Sequence, residues 1–127
     1  MANISISISG KMLEELNDIE REMGFSGRSE AIRAGVRMLL ADVREKKALT
    51  GRVKGVLLLI HDHVAEDFVT KLKHNFLDVI YTQLHNRFRE DRCLELFILD
   101  GEADRIRELT NSLQRSGKIE YVKLIIA

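Results

Sequence analysis

The sequence predicts an α+β protein built from two units. Three observations carry this. Residues 3–8 alternate strictly, with Ile4, Ile6 and Ile8 on one face and Asn3, Ser5 and Ser7 on the other, the pattern of a half-buried strand. Two amphipathic helical segments follow directly. Past Thr50-Gly51 the pattern becomes strand–helix–strand–strand–helix–strand.

The first strand has no partner within reach, because the next strand-like run starts near Val53. A strand with one apolar face needs pairing, and a second copy of the chain is the candidate. Met12, Leu16, Ile19 and Met23 recur at helical spacing and predict a helix over 11–23, stopped by Gly24. Ser29 reads as the N-cap of a second helix carrying Ile32, Val36, Leu39, Leu40 and Val43 and ending within 44–48. Strand, helix and helix occupy residues 1–50, too few for a sizeable core of their own.

Residues 51–127 form the second unit. Val53–Ile60 is a mostly apolar strand, and Val64, Phe68, Val69, Leu72 and Phe76 mark a helix. Leu77–Phe88 reads as a strand, Arg89–Arg92 as a charged turn and Cys93–Leu99 as a strand broken by Asp100-Gly101. Ile106, Leu109 and Leu113 mark a helix over 103–116, and 119–126 is the last strand. The order β-α-β-β-α-β is the ferredoxin-like arrangement.

Composition narrows the function. Of 127 residues, 45% are hydrophobic and 31% charged, an ordinary globular balance that excludes disorder. The longest apolar run, Val56–Ile60, cannot span a membrane, and no signal-peptide core opens the chain. The single cysteine, Cys93, permits no intrachain disulfide and points to the cytoplasm. Twenty Lys+Arg balance twenty Asp+Glu, so the chain is not generally basic. Charge is nevertheless segregated: residues 11–22 hold five acids and two bases, whereas 28–47 hold six bases and three acids. No nucleophile–base pair, carboxylate pair or phosphate loop appears, so an enzyme is not expected.

The first unit resembles the ribbon–helix–helix DNA-binding domain, in which two chains pair their N-terminal strands into a ribbon that enters the major groove. The run Gly27-Arg28-Ser29-Glu30-Ala31-Ile32-Arg33 matches the family's entry into helix two. The resemblance implies that Asn3, Ser5 and Ser7 face bases, and that Arg28 and Ser29 clamp a phosphate at a helix N-terminus. The ribbon carries no Arg or Lys, so base readout is by hydroxyl and amide alone.

The second unit holds His61, His63, His74, His85 and Cys93. Hairpin pairing brings His85 and Cys93 together, and imidazole with thiolate suits nickel, copper, zinc or cobalt. The plainer alternative is that each histidine is simply solvated or hydrogen-bonded. Over essentially its whole length the chain resembles the nickel-responsive repressor family NikR, most densely at 27–33, 75–85 and 93–102. The resemblance implies a square-planar nickel site between regulatory domains of a tetramer. One subunit gives two histidines spaced i and i+2 and a cysteine eight residues after the first; its neighbour gives a histidine eleven residues before that pair. His85, Cys93 and His74 stand at those spacings, but the i+2 position is Arg87.

Arginine stays protonated and has no lone pair to offer. Three readings follow: another transition metal held by His74, His85 and Cys93; a missing ligand supplied by His61 or His63; or a lost metal site in which Arg87 pairs with an anionic ligand or with Asp78 or Glu95. A further cation site that the family forms with acids of helix two keeps Glu30 but has Ala34 as its second position. Residues 62–67 lack the bases with which a regulatory domain could touch DNA.

The expectation is a cytoplasmic, homotetrameric repressor, a dimer of dimers on a palindromic double-stranded operator, with nickel or another transition metal as effector and no membrane partner. A small organic or anionic effector bound by the ACT-type second domain is the alternative. An antitoxin-like module is disfavoured, because 53–127 reads as a folded domain rather than a tail.

Overall fold

The computed structural model describes residues 2–127, with Phe88 described by its backbone alone. The chain divides between Lys47 and Ala48 into two units.

In the first unit, α1 spans Gly10–Glu22 and is capped by the Ser9 hydroxyl, which accepts from the Met12 amide at 3.1 Å. Gly24, at φ 71°, reverses the chain in the left-handed region. The Phe25 amide then reaches back to the Glu20 carbonyl at 3.1 Å, closing a Schellman motif. Helix α2 spans Arg28–Ala48. Its ladder starts at the Gly27 carbonyl, which accepts from Ala31 at 3.1 Å, so Ser29 lies inside the first turn rather than at the N-cap. Ala31 is the one buried residue of α2, and α1 has none. Residues 2–9 form no strand within one chain, since no neighbouring segment offers them a ladder. Ile4 and Ile6 are 88% and 64% exposed.

The second unit runs β1 (Arg52–Asp62), a short 3-10 turn at His63–Ala65, α3 (Glu66–His74), β2 (Ile80–Arg89), β3 (Arg92–Glu102), α4 (Ala103–Arg115) and β4 (Tyr121–Ile126). The strands make one antiparallel sheet ordered β2-β3-β1-β4. Leu57, Leu59, Phe97, Leu99 and Leu124 pack from one sheet face against Val69 of α3 and Ile106, Leu109 and Leu113 of α4. Strand residues alternate faces. The opposite face therefore carries Val56, Leu58, Leu94 and Leu96, half-buried, with Leu84 and Ile125 exposed at 60% and 54%.

Two expectations of this unit shift. Residues 75–79 are turns, because the Val79 and Ile80 amides both return to the Phe76 carbonyl, which sends Phe76 and Val79 into the core. Arg105 clamps this segment, donating to both Asp78 carboxylate oxygens (3.0 and 2.9 Å) and to the Asn75 carbonyl (2.7 Å), and lying over the Phe76 ring. That guanidinium holds the Asp78 carboxyl below its ordinary range. Strand β3 also does not break at Asp100-Gly101 but pairs through to Glu102. The Asp100 amide donates to the Val79 carbonyl at 2.9 Å, and a β-carbon on Gly101 would stand 2.5 Å from a Val79 methyl. The glycine is there for close approach, not for a turn. Gly101→Ala is expected to lower stability by about 1–3 kcal/mol in urea unfolding. Val79→Ala in the same chain should cost less than it does alone, because it removes the clashing methyl.

Candidate functional site

The residues expected to face DNA (Asn3, Ser5, Ser7, Arg28 and Ser29) are all exposed in the single chain. On α2, Glu30 is taken up by Arg37 at 3.1 Å and Arg33 at 3.1 Å, and these two, Arg37 foremost, hold its carboxyl below the usual range. It is therefore committed within its own helix, with Ala34 in place of a second acid.

In the second unit, pairing of β3 with both neighbours assembles a polar cluster on the helix-covered face. Cys93 is directly opposite His61 on β1 and Arg87 on β2, and Glu95 is opposite Leu59 and His85. His61 and Glu95 are fully buried, and they meet through Nε2 and Oε2 at 2.5 Å. The other ring nitrogen, Nδ1, lies 2.6 Å from the Asp62 carbonyl oxygen. Lys73 of α3 reaches the second Glu95 oxygen at 3.3 Å and lies over the Phe97 ring. At the outer edge, Glu66 stands 3.7 Å from His85 Nδ1, and the His61 and His85 rings are 6.2 Å apart. Burial pushes the Cys93 thiol up, with Glu66 adding to the effect and Arg87 opposing it.

His61, His85, Arg87 and Cys93 are thus brought together. His74, at the end of α3, and His63, on the 3-10 turn, present exposed side chains outside the hydrogen-bonded cluster. The carboxylates considered as partners of Arg87 are committed elsewhere: Asp78 to Arg105, and Glu95 to His61 and Lys73. Sequence reasoning missed Lys73 and Glu66 altogether. It considered Glu95 only as a partner for Arg87, although an acid two residues after Cys93 in an apolar strand must share its buried face and need partners.

Among the described residues no group of three His, Cys, Asp or Glu side chains is arranged to hold a cation. The donor chemistry agrees. Both nitrogens of His61 face oxygens, and the position directly across from the Cys93 sulfur is a guanidinium. The residues present do not fit a four-ligand nickel centre.

Glu95→Ala would strand Lys73 and the buried His61 ring, and should lower stability by about 3–5 kcal/mol in chemical denaturation. Glu66→Ala, which removes a half-exposed carboxylate, should cost less than about 1 kcal/mol. Equal losses for the two would mean that Glu95 is not the centre of the network.

Comparison with known proteins places both units. Residues 2–43 match the family of ribbon-helix-helix proteins of the copG type, and residues 54–127 match the NikR C terminal nickel binding domain. A Methanocaldococcus jannaschii protein named "Putative nickel-responsive regulator" is 37% identical over 99% of this chain and 92% of its own. Methanococcus aeolicus and Methanococcus vannielii proteins of the same name are 35% and 34% identical, over 98% and 99% of this chain and 90% and 92% of theirs. The solved structure of the uncharacterized protein TM1266 from Thermotoga maritima superposes with a TM-score of 0.55 at 22% identity, covering 60% of this chain and 98% of that one, a likeness of fold. With an N-terminal ribbon-helix-helix domain, a C-terminal nickel-binding-type domain and relatives alike from end to end, the chain belongs to the NikR family of transcriptional regulators.

Proposed function

We propose that this regulator is a repressor that binds a palindromic operator as a dimer of dimers, with residues 1–50 reading DNA and 51–127 joining the copies and sensing the effector. The observation that carries this reading is the N-terminal segment. Its isoleucines are exposed and its intervening Asn3, Ser5 and Ser7 form a second, polar face. Pairing two copies antiparallel gives those isoleucines a core and leaves the polar side chains outward as a ribbon sized for the major groove. The exposed apolar positions of α1 and α2, including Met12, Ile19, Val36 and Leu39, support the same demand for a second copy. The apolar open face of the sheet supports a further association through the second unit.

In this reading Asn3, Ser5 and Ser7 contact base edges, while Arg28 and the first turn of α2 around Ser29 hold a phosphate. Effector binding in the second unit acts by population shift, favouring the placement of the two DNA-binding dimers that matches both half-sites. The protein works in the cytoplasm, where its target lies; no helix among the described residues is long and apolar enough to cross a membrane.

The test is fluorescence anisotropy with operator and random duplexes at several salt concentrations. Ser5→Ala should weaken operator binding and leave random-duplex binding nearly unchanged; equal losses would remove Ser5 from the base-reading set. Arg28→Ala should weaken both alike and reduce the salt slope by about one. An unchanged slope would remove Arg28 from the phosphate set.

A further inference from the structure

We infer that Arg87 stands in for the metal ion: its guanidinium supplies a permanent cation beside Cys93 and His85, and this chain does not take up nickel there.

The register makes the case. A metal held by the Cys93 sulfur and a His85 nitrogen would lie about 2.0–2.3 Å from each, by analogy with comparable divalent sites. Arg87 is on the same strand and the same face as His85, two residues on, and directly opposite Cys93. A guanidinium there brings five donors and no acceptor, so it cannot ligate, and it repels a second cation.

The surrounding charge is already balanced. The cluster contains two carboxylates, Glu66 and Glu95, and two fixed cations, Lys73 and Arg87. The buried carboxylate is shared between Lys73 and His61. A divalent ion would enter a balanced site and leave it with surplus positive charge.

No neighbouring histidine repairs the gap. His61 flanks Cys93 on the other side, but Nε2 is held by Glu95 and Nδ1 faces a carbonyl oxygen. Recruiting it would break the His61 contact to the buried Glu95 carboxylate. His63 is exposed on the turn beyond β1, outside the cluster. The inference rests on the second unit alone and stands or falls independently of the DNA reading.

The experiment is a titration of the reduced, metal-free full-length chain with nickel sulfate, read by the near-UV thiolate-to-nickel charge-transfer band. Wild type should show no saturable band. Arg87→His should gain one that saturates at one nickel per chain and is lost again when Cys93→Ala is added. Arg87→Gly with added imidazole makes the same test without grafting a side chain. Thermal melts of each variant separate a lost fold from a lost ligand. A saturable, Cys93-dependent band in wild type would overturn the inference. So would folded Arg87→His and Arg87→Gly chains that still show none, because Arg87 would then not be what excludes the metal.

Discussion

Strand β3 is paired on both sides, to β1 from Arg92 to Glu102 and to β2 over much of the same length, and its register positions almost everything else in the second unit. Side chains on a strand alternate, so one register sends Cys93, Glu95, Phe97 and Leu99 to the covered face together. A slip of one residue would put the apolar pair in solvent and a leucine where Glu95 meets His61. The register is held at its far end by the Gly101 clearance against Val79, and the 75–79 turn that delivers Val79 is clamped by Arg105. Core packing and the polar cluster are two consequences of one ladder.

The two units meet the need for a core differently. The second buries a continuous set of aliphatic side chains between sheet and helices and satisfies its buried polar groups internally: no buried side-chain nitrogen or oxygen among the described residues lacks a partner. Its first residues are tied in as well, with the Leu49 carbonyl accepting from Arg107, the Gly51 carbonyl from the Ala103 amide, and Arg52 paired with Asp100. The first unit has two well-capped helices and almost nothing buried. Many of its apolar side chains stay exposed, and fewer than fifty residues cannot enclose them alone. That contrast is in keeping with the proposed regulator, in which a second copy would complete the first unit while the second folds within one chain.

The placement of Arg87 bears on what the sensing end can sense. Membership of a nickel-responsive family is carried by the whole chain, but metal affinity is carried by a few donor atoms. Here two of the expected donors, His85 and Cys93, share a neighbourhood with a guanidinium and with a carboxylate already engaged by Lys73 and His61. The family's architecture is thus present around a cluster in which a guanidinium lies across from the cysteine.

Much of this was legible in the sequence, for definite reasons. Period-two and period-3.6 spacing of Ile, Leu and Val marks strands and helices because burial acts on faces, and the order of elements then leaves few topologies. Hairpin spacing brought His85 and Cys93 into one neighbourhood, although the register opposes Cys93 to Arg87 and His85 to Glu95, and the exposed isoleucines followed from a strand with no partner in the chain. What the sequence could not determine is what depends on contacts between distant segments. Gly101 reads as a breaker until Val79 is seen beside it. Asp78 and Glu95 read as equal candidates for Arg87 until Arg105 and Lys73 reach them from other elements. His61 becomes the partner of Glu95 only when β1 and β3 pair, because a buried carboxylate is neutralised by whatever cation or donor the tertiary fold brings within hydrogen-bond distance, and local spacing does not encode that.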